Sequence, residues 1–104
     1  MAKRGREKGL AEVLSVLAEH REELRARFGV RRLGIFGSRA RGEATPASDL
    51  DVLVELERPL GWEIVDLHRR LEEITGLRVD LVTLGALRRK PHLLRAVEED
   101  LVYV

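Results

Sequence analysis

From Leu50 to Leu56 the apolar side chains fall on every second position, Leu50, Val52, Val54 and Leu56, with Asp49, Asp51, Leu53 and Glu55 between them. A period of two belongs to a strand, whose successive side chains leave opposite faces of a sheet. Pro59 and Gly61 close the segment. One strand is not stable alone, so the rest of the chain has to supply strands to pair with it and helices to cover it. Val52 and Val54 show that apolar residues are wanted here, and acids are depleted from strand interiors. Asp49 and Asp51 are therefore an anomaly that folding alone does not explain.

The flanking segments meet that requirement. Leu10, Val13, Leu14, Leu17, Leu24 and Phe28 recur at helical spacing, which predicts one amphipathic helix that Gly29 terminates. Residues 30–36 read as a short strand, and residues 37–48 as a loop rich in Gly, Ser, Thr and Pro whose first part alone can hold a helical turn. Residues 62–75 carry Ile64, Val65, Leu67, His68, Leu71 and Ile74 on one side, a second amphipathic helix stopped at Gly76. Leu77, Val79, Leu81 and Val82 surround Asp80 in a third strand. A short helical turn after residue 84, a break before Pro91, a last helix ending near Asp100 and an edge strand over 101–104 complete the reading. This order predicts a small α/β (α+β) domain, a mixed sheet flanked by helices. With 104 residues the expectation is a single domain over 9–104 behind a flexible basic arm over 1–8.

Charge narrows the class. Nineteen Lys and Arg face eighteen Asp and Glu. Residues 1–9 hold four of the bases and one acid, so the body carries fifteen bases against seventeen acids, a net −2. Such a body offers no basic track for nucleic acid, and no apolar run approaches the ~20 residues of a membrane span. A cytoplasmic protein is expected. There is no cysteine, so disulfides and thiolate chemistry are excluded, and any metal has to be held by oxygen or imidazole.

Two residues apart on a strand, Asp49 and Asp51 point to the same face, roughly 6.5 to 7 Å apart. Hard oxygen ligands of this kind suit Mg²⁺ or Mn²⁺, and Mg²⁺ characteristically adds a substrate phosphate to one or two carboxylates. Asp80 repeats the anomaly; were its strand adjacent, three carboxylates would meet and could hold two metals ~3.5 to 4 Å apart, with Asp80 as general base. Gly37 and Ser38 end a strand where bare amides and a hydroxyl can receive phosphate oxygens, and Arg39 and Arg41 can add charge-assisted contacts. Bland alternatives stay open: a solvated strand-end pair at Asp49 and Asp51 taken alone, a plain turn at Gly37-Ser38, solvated Arg39 and Arg41, and Ser48 as a turn cap. Gly37 and Gly42 mimic the spacing of a P-loop, but Glu43 and Ala44 stand where Lys and Ser or Thr are required.

Gly37-Ser38-Arg39-Ala40-Arg41-Gly42, then Ser48-Asp49-Leu50-Asp51, then Asp80 on a later strand resembles the minimal nucleotidyltransferase branch of the polymerase-beta-like superfamily. The resemblance covers roughly residues 30 to 83. It implies a nucleoside triphosphate donor, ATP in the first instance, and transfer of its nucleoside monophosphate to a hydroxyl with loss of pyrophosphate. On the family pattern Gly37 and Ser38 hold the triphosphate, while Asp49, Asp51 and Asp80 form a metal-binding triad. Minimal members are often paired with a small helical HEPN protein as toxin and antitoxin, the transferase adenylylating a tyrosine of its partner. The competing expectation is a module that binds nucleotide or partner without catalysis.

Overall fold

A computed structural model describes residues 9–104; the arm expected over 1–8 lies outside the described residues. Its framework is a four-stranded sheet of β1 (Val30–Phe36), β2 (Leu50–Leu56), β3 (Val79–Thr83) and β4 (Val102–Tyr103), in the order β3-β2-β1-β4. β1 runs antiparallel to both β2 and β4, whereas β2 and β3 are parallel. The parallel pair needs a long crossover, and α4 (Glu63–Thr75) supplies it. The sheet is thus mixed, as expected.

β2 shows how its alternation is used. Leu50, Val52 and Val54 are fully buried in the main core with Val13 and Leu17 of α1 (Leu10–Glu19), Leu24 and Phe28 of α2 (Arg21–Phe28), and Leu67 and Leu71 of α4. Leu53 points the other way, into a smaller core with Leu87 of α5 (Leu84–Leu87) and Val97 of α6 (Pro91–Asp100). Asp51 shares that second face, beyond the part the two C-terminal helices cover. A short turn of helix, α3 (Gly37–Ala40), follows β1.

The single helix expected over residues 10–28 is two helices. The chain breaks at His20, at φ −106° and ψ 8°. The apolar stripe has no member at residues 20 or 21, so nothing holds a continuous helix against the sheet there, and the His20 imidazole Nδ1 instead lies 2.9 Å from the Val16 carbonyl. Leu17 and Leu24, either side of the break, are both fully buried.

One ion pair ties α2 to α4. The Arg70 guanidinium donates from Nε to Glu23 Oε2 at 2.7 Å and from Nη2 to Glu23 Oε1 at 2.9 Å. These bonds, with a further one from Arg27, outweigh partial burial and hold the Glu23 carboxyl down at about 2. Because the folded value lies below the unfolded one, the contribution is complete above about pH 4.5 and is lost as pH falls toward 2. Thermal unfolding of the wild type should therefore drop more steeply than that of Glu23→Gln over this window. Superimposable slopes would show that the pair contributes nothing.

Candidate active site

β1 delivers the chain to the site. Phe36, its last residue, stands opposite Asp51 in the antiparallel ladder, and Gly37 then turns the backbone into α3. Gly37 has φ +77°, the left-handed region, and a Cβ there would come within 2.0 Å of Asp51 Oδ2. Both constraints demand glycine, and together they press bare backbone against the carboxylate.

β3 brings the second acid. In the parallel register Asp51 stands opposite Asp80, so the two side chains leave the same face of neighbouring strands about 4.8 Å apart. Asp51 is partly buried and Asp80 is exposed, so the pair opens to solvent on one side. Partial burial, then the like charges of Asp80 and Asp49, raise the Asp51 carboxyl above its usual range, and the positive charge of Arg41 offsets this only in part.

Asp49 departs from its expected place. It precedes β2 rather than belonging to it, and its half-exposed carboxylate lies 3.3 Å from the Arg78 guanidinium. The reason is a register that lets Leu50 donate its backbone N–H to the Arg78 carbonyl at 2.8 Å, which sets Asp49 beside Arg78 just before both strands begin. Its charge still acts on Asp51, but the strand-face argument for the two acids does not apply. Among the described residues no three His, Cys, Asp or Glu side chains are gathered closely enough to hold a metal ion. The compact carboxylate trio expected from sequence is thus replaced by an Asp51–Asp80 pair with Asp49 drawn aside by Arg78.

The arginines also differ from expectation. Arg39 is buried, at 3% exposure, and donates from Nη2 to the Ser48 carbonyl at 2.9 Å, bridging the two ends of the loop that precedes β2. It is neither a solvated residue nor one held out toward a phosphate. Arg41 donates to Glu43 at 2.9 Å and to Asp100, at the end of α6, at 2.7 Å. Arg78 and Asp100 carry no local sequence signal for these roles, since their partners lie far along the chain. Ser38 is half-buried, and its carbonyl accepts from the Glu43 N–H at 2.8 Å, closing the α3 turn. Ser48 caps its turn, its hydroxyl accepting from the Thr45 N–H at 2.9 Å.

The residues present fit a hard divalent cation. Asp51 and Asp80 provide oxygen donors whose mutual repulsion a cation would relieve, and the missing side chain of Gly37 leaves the approach to Asp51 free. Asp49, two residues before Asp51, adds its negative charge to the pair. Chemically, the arrangement offers anionic oxygens, close backbone and a nearby guanidinium, which together can receive a phosphate ester and a proton.

The chain is similar to known proteins in sequence and in fold. The nucleotidyltransferase domain family matches residues 17–104. Protein adenylyltransferase MntA of Thermococcus cleftensis is 46% identical over 96 residues, covering 91% of this chain and 95% of its own. A solved minimal nucleotidyltransferase superposes with a TM-score of 0.68 at 39% identity, covering 86% of this chain and 93% of that one. A nucleotidyltransferase from Sulfolobus solfataricus superposes with a TM-score of 0.52 at 26% identity, over 96% of this chain and 89% of that one. With a mixed sheet that sets Asp51 and Asp80 side by side against the bare backbone of Gly37, this chain belongs to the nucleotidyltransferase family.

Proposed function

We propose that this nucleotidyltransferase is a protein adenylyltransferase that moves AMP from ATP to a hydroxyl, a tyrosine of a small helical HEPN partner, and so acts as an antitoxin. The carrying observation is the Asp51–Asp80 register against Gly37, and the 46% identity to a protein named as a protein adenylyltransferase supports the choice of a protein acceptor.

On this reading the backbone of Gly37 and Ser38 receives the triphosphate, with Arg41 adding positive charge at the mouth. Asp51, Asp80 and Asp49 would hold Mg²⁺ or Mn²⁺ ions, which supply charge neutralisation on the phosphate oxygens. The acceptor oxygen forms a new bond to the α-phosphorus as the bond from that phosphorus to the bridging oxygen breaks, and pyrophosphate leaves with the electron pair. The hydroxyl proton passes to the Asp80 carboxylate, the more open of the pair and thus the one an acceptor reaches. Arg39 acts at one remove by bridging the loop ends that present Ser38 and Asp49.

The test is incubation with Mg²⁺ and α-labelled ATP, alone and with the protein encoded beside it. Covalent label on a tyrosine of that protein is expected. Neutralisation of the partner without label, equally by Asp80→Ala, would instead establish a binding module without catalysis. For Arg41→Ala, which frees the 37–48 loop from Asp100 and removes a positive charge near Asp51, we expect KM for ATP to rise about tenfold with a smaller change in kcat. An unchanged KM would remove Arg41 from the nucleotide site.

A further inference from the structure

A second site of different character lies at the other end of the sheet. β2 and β3 are parallel, so their carboxyl ends finish together, at the edge opposite to Asp51 and Asp80. From there the chain leaves β2 through residues 57–62 toward α4, and leaves β3 directly into α5. Between these departing segments is a crevice of about 590 Å³, a volume within the range of small-ligand sites. Leu56 at the crevice is five residue steps along β2 from Asp51, about 17 Å along the strand.

Its walls are built from two kinds of group. Leu56, Leu60 and Ile64 form an apolar floor and belong to the margin of the main core. Arg31, Arg58, Arg88 and Arg89 stand around it with Glu55 and Glu57. The lining is therefore +2, on a body whose net charge is −2. Glu55 is already engaged, by Arg32 Nε at 2.9 Å and Arg31 Nη1 at 3.5 Å. Among the described residues, Arg58, Arg88 and Arg89 enter no ion pair within 4.0 Å. The positive charge of Arg88 reaches Glu55 without a direct ion pair, and the guanidinium groups of Arg58, Arg88 and Arg89 are thus all outside salt-bridge contact at the pocket wall.

We infer that this crevice binds a phosphate ester of nucleotide size, its base and sugar on the apolar floor and its phosphate among Arg58, Arg88 and Arg89. Guanidinium forks match phosphate oxygens two at a time, and all of the cations here are Arg rather than Lys. An acidic peptide would be served by an exposed rim and would leave the Leu56–Leu60–Ile64 floor unused. The ligand is distinct from the reacting triphosphate, because one nucleotide cannot occupy both ends of β2. It is either a free mononucleotide or the 5′-phosphorylated end of an RNA; the chemistry recognised is the same.

Amide chemical-shift titration of the full chain distinguishes these outcomes. With AMP, or with a short 5′-phosphorylated oligoribonucleotide, residues 57–60 and 84–89 should show saturable shifts separate from any at 37–38 and 50–51. Saturation by AMP identifies the free nucleotide as a sufficient ligand; saturation by the oligonucleotide alone identifies the RNA end. Arg88→Glu with Arg89→Glu should weaken that titration at least tenfold, and the milder Arg58→Gln with Arg88→Gln should weaken it in the same direction. Both substituted sites are exposed, so dispersion of the spectrum should persist. The site does not depend on the transfer reaction, so Asp51→Asn should titrate the crevice as the wild type does. Absence of saturable shifts at 84–89 with millimolar amounts of both ligands, or equal affinity in both double variants, would overturn the inference.

Discussion

Asp51→Asn should abolish label transfer, by a factor of at least about 10³, while raising the thermal midpoint by a few degrees. The two effects have one cause. Asp51 is partly buried and faces the like charges of Asp80 and Asp49, which is why its carboxyl is raised and why ionising it in the folded state is unfavourable. An amide of the same shape removes the repulsion and lessens the cost of burial, so the fold gains. The same substitution removes the anionic oxygens that a cation needs, and a 10³-fold loss corresponds to about 4 kcal/mol of transition-state stabilisation, in the range expected for metal-assisted charge neutralisation. Sites assembled for function at the expense of stability behave in this way. Radiolabel transfer and differential scanning calorimetry on the same preparation check both halves. If Asp51→Asn transferred label at the wild-type rate, the active-site assignment would fail. If it lowered the midpoint, the repulsion account would fail.

Gly37→Ala is the second large effect, and Gly42→Ala is its control. Both glycines are in the left-handed region, at φ +77° and +75°, where an L side chain costs about 1–2 kcal/mol. In a domain of this size that lowers the midpoint by roughly 4–16 °C. They differ in surroundings: a Cβ on Gly37 meets Asp51 Oδ2 at 2.0 Å, whereas one on Gly42 meets nothing within 4 Å. Both variants should therefore lose stability, but only Gly37→Ala should lose transfer activity, by about 100-fold or more, because Asp51 has to swing away. Equal activities in the two variants would show that the Gly37–Asp51 contact has no part in the reaction.

Much of this was legible in the chain itself. The alternation over 50–56, the stop at Gly29, the stop at Gly76, the break before Pro91 and the short final strand all stand where side-chain periodicity and chain-breaking residues place them. Such signals are local, and a few neighbouring residues suffice to produce them. The continuous helix over 10–28 failed for a related reason: periodicity spans a gap as readily as it fills one, and the gap at residues 20 and 21 is where the helix parts at His20.

The site divides along the same line. Sequence alone marked Asp49, Asp51 and Asp80 as acids out of place beside apolar strand residues, and Gly37 as a chain break where bare backbone could receive phosphate. It could not say which of them meet. Parallel pairing set Asp51 against Asp80, and the same pairing gave Asp49 to Arg78. Tertiary packing likewise buried Arg39 against the Ser48 carbonyl and tied Arg41 to Asp100, 59 residues away. It also placed four arginines from three segments around one crevice. Register and long-range ion pairing depend on how whole elements dock, and no short window of residues encodes that. The chain by itself determined which residues are anomalous; the fold decided which anomalies become neighbours.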